Sequence, residues 1–267
     1  MSVLPASPRS TASFSSFSEF SGSPPKLASD TLALLESFLS SKAEEEKRFD
    51  DLAAQAAARV ASLALNVHIE EPDPPMMSVD EYRLAFGEDW QLSQFWYSTA
   101  FATRLAKSVR AICTPESKVA FMCCPTAFVA FQHVNPLEGA RLLEFDERFR
   151  VLAPNKFIHY DLNEPDVFPE NLRESFDVIV IDPPFLNEAT NKGVIQTILQ
   201  IIKPNDGKLI LLTAPSIERI LHALYDKPPI GPLRLTALEP EHRELANEFS
   251  CWGSWDGAQD FGKGVVA

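Results

Sequence analysis

The sequence predicts a doubly wound α/β fold over residues 81–267, entered through a helical extension. Three observations predict it. Apolar runs of strand length recur from residue 118 onward, rich in valine and isoleucine and bounded by turn residues. Segments with helical spacing separate them, which indicates parallel strands covered on both faces. At 267 residues, 45% hydrophobic and 23% charged, the chain can bury one such domain with length left over.

In chain order, residues 1–28 are rich in serine and proline, bury little, and are expected to form a disordered tail. From Ser29 and Asp30, a plausible helix cap, Leu32, Leu35, Leu39, Phe49, Leu52, Ala56, Val60 and Leu63 recur at three- and four-residue spacing. A helical extension over 29–65 follows, with the charged run 44–48 as a solvated face. Glu70, Glu71, Pro72, Asp73, Pro74 and Pro75 exclude helix and mark a proline-rich acidic linker over 66–80. The aromatic segment 90–98 then leads into a helix ending near Val109. Strands are expected at 118–124, 141–145, 156–160, 176–181 and 208–213, with a helix over 191–202. Two more strands are expected in the tail, at 233–238 and 249–252.

No apolar run is long enough to span a bilayer. Arg9 with no apolar stretch after it argues against a secretory signal, and Glu19 with its neighbouring prolines against a mitochondrial presequence. Cys113, Cys123, Cys124 and Cys251 show neither C-x-x-C nor disulfide-type spacing, so a reducing compartment is expected, with no metal. The net charge of −13 opposes nucleic acid and favours a basic protein partner.

Ligands of an open α/β sheet bind beyond the carboxyl ends of its strands. The residues there are Cys124 and Pro125 after the first strand, Glu144 and Asp146 at the end of the second, and Asp161 and Leu162 after the third. An acid at the second position suits a ribose diol, and one at the third an adenine amino group. The bland alternative is that these acids are loop residues or helix caps. The first loop lacks the G-x-G-x-x-G that a pyrophosphate needs, which disfavours a nicotinamide enzyme. S-adenosylmethionine has a nucleoside but no phosphate, so a glycine-poor loop can serve it. Trp96 either packs a helix onto the sheet or walls the methionine end of that cofactor. Tyr97, Ser98 and Thr99 are further candidates for contact.

The sharpest signal follows the fourth strand: Asp182, Pro183, Pro184 and Phe185. The prolines fix φ and hold the Asp182 carboxylate and the Pro183 carbonyl as two acceptors for an amine. Phe185 supplies a flat wall for a base or an alkylammonium. An Asp-Pro pair that merely ends a strand is the alternative. The predicted chemistry is methyl transfer to an amino nitrogen, catalysed mainly by alignment and electrostatics.

Five segments occur in a telling order: Trp90 to Ser98, Glu144 to Phe149, Tyr160-Asp161, Asp182 to Phe185, and Leu245 to Phe249. Together they closely resemble the eukaryotic lysine methyltransferases of translation elongation factor 1-alpha, a family long labelled as adenine-specific DNA methyltransferases. The likeness runs from about Leu27 to Asp260. It implies a seven-strand, Rossmann-like methyltransferase fold, S-adenosylmethionine, a cytoplasmic location and a lysine of that factor as substrate. A nucleic-acid adenine methyltransferase is the alternative, disfavoured by the acidic charge. A non-catalytic binding module is a third, opposed by the intact Asp182 motif.

Overall fold

The computed structural model describes residues 29–64, 77–89, 91–134, 136–242, 245 and 248–267. The serine-rich segment 1–28, most of the expected linker, and Trp90 lie outside them.

Helix α1 runs unbroken over Ser29–Ala64, so the charged run 44–48 interrupts only the apolar pattern. Its first part, through Lys42, is a unit of its own and exposes Leu32, Leu35 and Phe38. Residues Ala43–Ala267 form a second unit. Within it Phe49 and Leu52 of α1 pack on the core, and the Phe49 ring meets Phe86 edge-on at 5.8 Å. The short helix α2 (Val79–Ala85) starts where linker was expected. Ser78 and Glu81 explain it, because each side chain satisfies the other's backbone N–H in a capping box.

Helix α3 (Thr99–Ala111) follows the aromatic segment, which is itself irregular and ends in the N-cap Ser98. Then strands and helices alternate: β1 (Val119–Met122), α4 (Pro125–Val134), β2 (Ala140–Glu144), β3 (Phe157–His159), β4 (Val178–Ile181), α5 (Glu188–Ile201), β5 (Lys208–Thr213), α6 (Glu218–Tyr225), β6 (Arg234–Leu235) and β7 (Ser250–Gly253). All seven expected strands are present, each shifted or trimmed by a few residues at most.

The strands form one sheet in the order β3-β2-β1-β4-β5-β7-β6. Pairings from β3 through β5 are parallel, and β7 runs antiparallel to β5 and β6. The alternation of each strand divides the core in two. Val119, Phe121, Val178, Val180, Ile210 and Leu212 face one layer, with α3 and α4. Ala120, Met122, Ile179, Ile181, Leu209 and Leu211 face the other, with α5 and α6. Chain order reverses between β1 and β4, and a doubly wound sheet opens its ligand crevice at such a point.

Candidate active site

A cavity of about 440 Å³ lies at this reversal, beyond the carboxyl ends of β1, β2, β3 and β4. Such a volume is typical of small-molecule sites, which span about 300–1,000 Å³.

The turn after β1 forms one wall. Cys123 takes φ 53°, in the left-handed region that a glycine would otherwise fill. Pro125 then opens α4, where a missing N–H costs nothing because the first helical turn leaves its donors free. Cys123 and Cys124 are free thiols, pushed well above their usual range by burial. They behave as small apolar groups.

At the end of β2, Glu144 is 7% exposed and lines the cavity. Its Oε1 accepts the N–H of Phe145 at 2.9 Å and of Asp146 at 3.3 Å. Burial raises this carboxyl to about 7 against the pull of those two donors. Asp161 and Leu162 line the next stretch of wall, with the Asp161 Oδ1 accepting the Asn163 N–H at 2.8 Å. Gly193 on α5 lets this loop approach, because a Cβ there would sit 2.5 Å from the Leu162 carbonyl oxygen.

Asp182 follows β4, its N–H bonded to the Met122 carbonyl at 3.2 Å. Asn187 caps α5, and its N–H bonds to the Phe185 carbonyl at 2.9 Å. The four residues from Asp182 to Phe185 are thus fixed between strand and helix. All four line the cavity, and Phe185 is 43% exposed at its mouth. One carboxylate oxygen of Asp182 receives a hydrogen bond from the Tyr97 hydroxyl. Burial raises the Asp182 carboxyl to about 7, and the Tyr97 bond acts in the opposite direction.

Tyr97 and Trp96 also reach the cavity, but the Trp96 indole N–H donates to the Phe86 carbonyl at 2.7 Å, inside the aromatic core. Ser98, Thr99 and Asp146 are not in the lining. The Ser98 hydroxyl caps α3 by accepting the Phe101 N–H, and Thr99 donates to Asp80 at 2.6 Å. Asp146 stands behind Gln94, which does line the cavity. Its carboxylate takes Arg148 Nη2 at 2.6 Å and Gln94 Nε2 at 3.1 Å. Burial raises it, yet the Arg148 guanidinium and Gln94 outweigh that and hold it below the usual carboxylate range. It therefore ties the segment carrying Trp96 and Tyr97 to the end of β2. Asp146→Ala is expected to lower unfolding stability by about 1–3 kcal/mol, since a buried acceptor of bonds from Arg148 and Gln94 is lost. Urea unfolding checks this, and an unchanged midpoint would release the tie.

Sequence reasoning missed the far wall, built by His242, Leu245 and Phe249 between β6 and β7. His242 forms an antiparallel bridge with Tyr97, and their rings lie 4.9 Å apart. Phe249 backs it at 4.5 Å. Burial lowers His242 to about 4, so its imidazole is neutral at physiological pH. Of this wall only Leu245 and Phe249 fell within a segment the sequence marked, through the resemblance.

A doubly wound sheet with an acid closing β2, an Asp-Pro-Pro-Phe after β4 and no phosphate loop defines a class: the Rossmann-like, S-adenosylmethionine-dependent methyltransferases. The family model described as "Probable N6-adenine methyltransferase" matches residues 88–257. The chain is 29% identical to the "Protein-lysine N-methyltransferase EFM5" of Saccharomyces cerevisiae, covering 86% of this chain and 92% of that protein. It is 32% identical to "EEF1A lysine methyltransferase 1" of Mus musculus, covering 68% and 82%, and 35% identical to the protein of that name in Gallus gallus, covering 65% and 78%. The chain belongs to this family of methyltransferases.

Proposed function

We propose that this chain transfers a methyl group from S-adenosylmethionine to a lysine amine of translation elongation factor 1-alpha. The observation that carries the proposal is the Asp182 carboxylate, one oxygen bound by Tyr97, in a cavity that Pro183, Pro184 and Phe185 also line.

The cavity fits the cofactor by its donor and acceptor chemistry. Glu144 would accept the ribose hydroxyls through the oxygen its own backbone leaves free. Asp161 and Leu162 would meet the adenine edge. Trp96, Cys124 and Pro125 supply apolar wall where a phosphate would need glycines. S-adenosylmethionine, when bound, supplies an electrophilic methyl group, and the chain's own residues align and stabilise.

Asp182 and the Pro183 carbonyl hold the two hydrogens of a neutral amine and aim its lone pair. As nitrogen becomes cationic, the Asp182 carboxylate stabilises the charge in a site of low dielectric. Phe185, at the mouth, flanks the alkyl stem of an incoming lysine. The substrate amine has an ordinary pKa of about 10.4, so a fraction must reach the cavity uncharged.

Three observations support the substrate. The yeast and vertebrate relatives carry lysine or EEF1A in their names. The charge of −13 attracts a basic surface and repels a polyanion. Among the described residues no helix is long and apolar enough to cross a membrane, which agrees with a cytoplasmic factor as partner.

Incubation with purified elongation factor 1-alpha and labelled cofactor is expected to label a lysine, at an initial rate that falls as salt screens the attraction. An unlabelled factor under these conditions would refute the substrate, and a salt-independent rate the electrostatic part.

A further inference from the structure

Among the described residues Tyr97 is the one side chain that bonds the acceptor motif from outside it. It stands just before α3, at the N-cap side of Ser98, far in sequence from β4. Its ring is 2% exposed, edge-on to Phe101 at 4.9 Å and tilted on His242 at 4.9 Å. Its backbone is fixed as well, by the bridge to His242 and by the Ser98 N–H on the Glu241 carbonyl at 2.8 Å. A phenol held at three places has little freedom except to point at Asp182.

We propose that Tyr97 is a positioning residue of methyl transfer, its hydroxyl occupying Oδ2 of Asp182 and leaving Oδ1 to face the substrate amine. Its role rests on the reading of Asp182 as the acceptor of that amine. Among the described residues Oδ1 has no hydrogen-bond partner, so the division of the carboxylate is already built. A donor on Oδ2 does two things. It fixes the carboxyl plane, so that Oδ1 and the Pro183 carbonyl present a constant geometry to the amine. It also favours the ionised carboxylate against the burial that raises it. Without the donor the carboxyl takes up a proton at higher pH, and a protonated Asp182 cannot stabilise a cationic nitrogen.

The neighbours leave this effect readable. Around Asp182 and Tyr97 stand Glu144 from β2, Cys123 and Cys124 after β1, Cys251 from β7 and His242 from the segment before β7. The thiols and Tyr97 itself are raised by burial and stay neutral, as His242 does above about 4. Glu144 alone titrates in the same window as Asp182, near 7. Measuring kcat at saturating cofactor removes its effect on cofactor affinity.

The test is the pH profile of kcat for Tyr97→Phe, which keeps the ring and removes the hydroxyl. The acid limb is expected to move up by about one pH unit, with S-adenosylhomocysteine affinity unchanged. At a pH below that limb kcat is expected to fall about tenfold. A second variant, Tyr97→3-fluorotyrosine, has a more acidic phenol that donates more strongly, and should move the limb the opposite way. A purely packing role would lower the melting temperature and leave the limb in place in both variants, which would overturn the proposal. Asp182→Ala run beside them separates two failures. If Asp182→Ala is inactive while Tyr97→Phe keeps the native profile, Tyr97 has no positioning role. If Asp182→Ala turns over normally, the assignment of Asp182 falls, and the role of Tyr97 falls with it.

Discussion

Asp182→Ala is expected to lower kcat by about 10²–10³-fold or more, with S-adenosylhomocysteine affinity nearly unchanged, because a preorganised group aimed at developing charge typically has this effect. The carboxylate faces the cavity at the end of β4, held by Tyr97 and by the rigid turn of Pro183 and Pro184. In the proposed arrangement it meets the amine, while the nucleoside lies across the cavity against Glu144 and Asp161. Alanine removes the only anionic oxygens of the Asp182–Phe185 turn and leaves the turn's two prolines in place. Single-turnover labelling gives the rate and calorimetry the affinity. Loss of both together would place Asp182 in cofactor binding instead.

Glu144→Gln is expected to act in opposite directions on affinity and on stability. Glutamine retains an oxygen for the Phe145 and Asp146 N–H groups, so the local fold survives. It loses the charged acceptor for the ribose hydroxyls, and cofactor affinity should fall about 10- to 100-fold, the range of a hydrogen bond to a charged group. The folded carboxyl lies near 7, above its ordinary 4.5. A group raised in this way stabilises the fold at low pH and loses that contribution as pH rises through its folded value. At pH 8 the native chain therefore bears the full burden of a buried carboxylate. The variant should be more stable there by up to about 3 kcal/mol, from roughly 1.4 kcal/mol per pKa unit, and the gain should vanish near pH 4. Denaturant unfolding of the cofactor-free protein at both pH values checks it. A variant destabilised at pH 8 would mean that Glu144 serves the fold as an ionised group.

The parallel core was legible because its strands are apolar on both faces, and β4 (Val178–Ile181) is continuous valine and isoleucine. The Asp182 motif was legible because proline writes backbone geometry directly into sequence. Helix α2 was legible too, since Ser78 and Glu81 stand at capping-box spacing, but the prolines before them dominated the reading. The Asp146–Arg148 bond and the place of His242 in the cavity wall were not legible. An acid at a strand end reads alike whether it faces a ligand or a guanidinium, and the bond from Arg148 two residues on appears only in three dimensions. His242 lies in an irregular segment whose path over the cavity is set by the antiparallel return of β7 beside β5. Tyr97 was marked as a cofactor contact. Its bond to Asp182 joins residues 85 apart in sequence, a pairing that no local pattern contains.

The central claim is that this cavity methylates a protein lysine, and the most direct measurement offers both candidate acceptors at once. Elongation factor 1-alpha and duplex and single-stranded DNA are mixed with the enzyme and labelled S-adenosylmethionine. Label is then mapped by mass spectrometry of tryptic peptides and of released nucleosides. The account predicts methyl groups on a lysine of the factor, none on adenine, and none anywhere with Asp182→Ala. Methylated adenine beside an unmodified factor would contradict it.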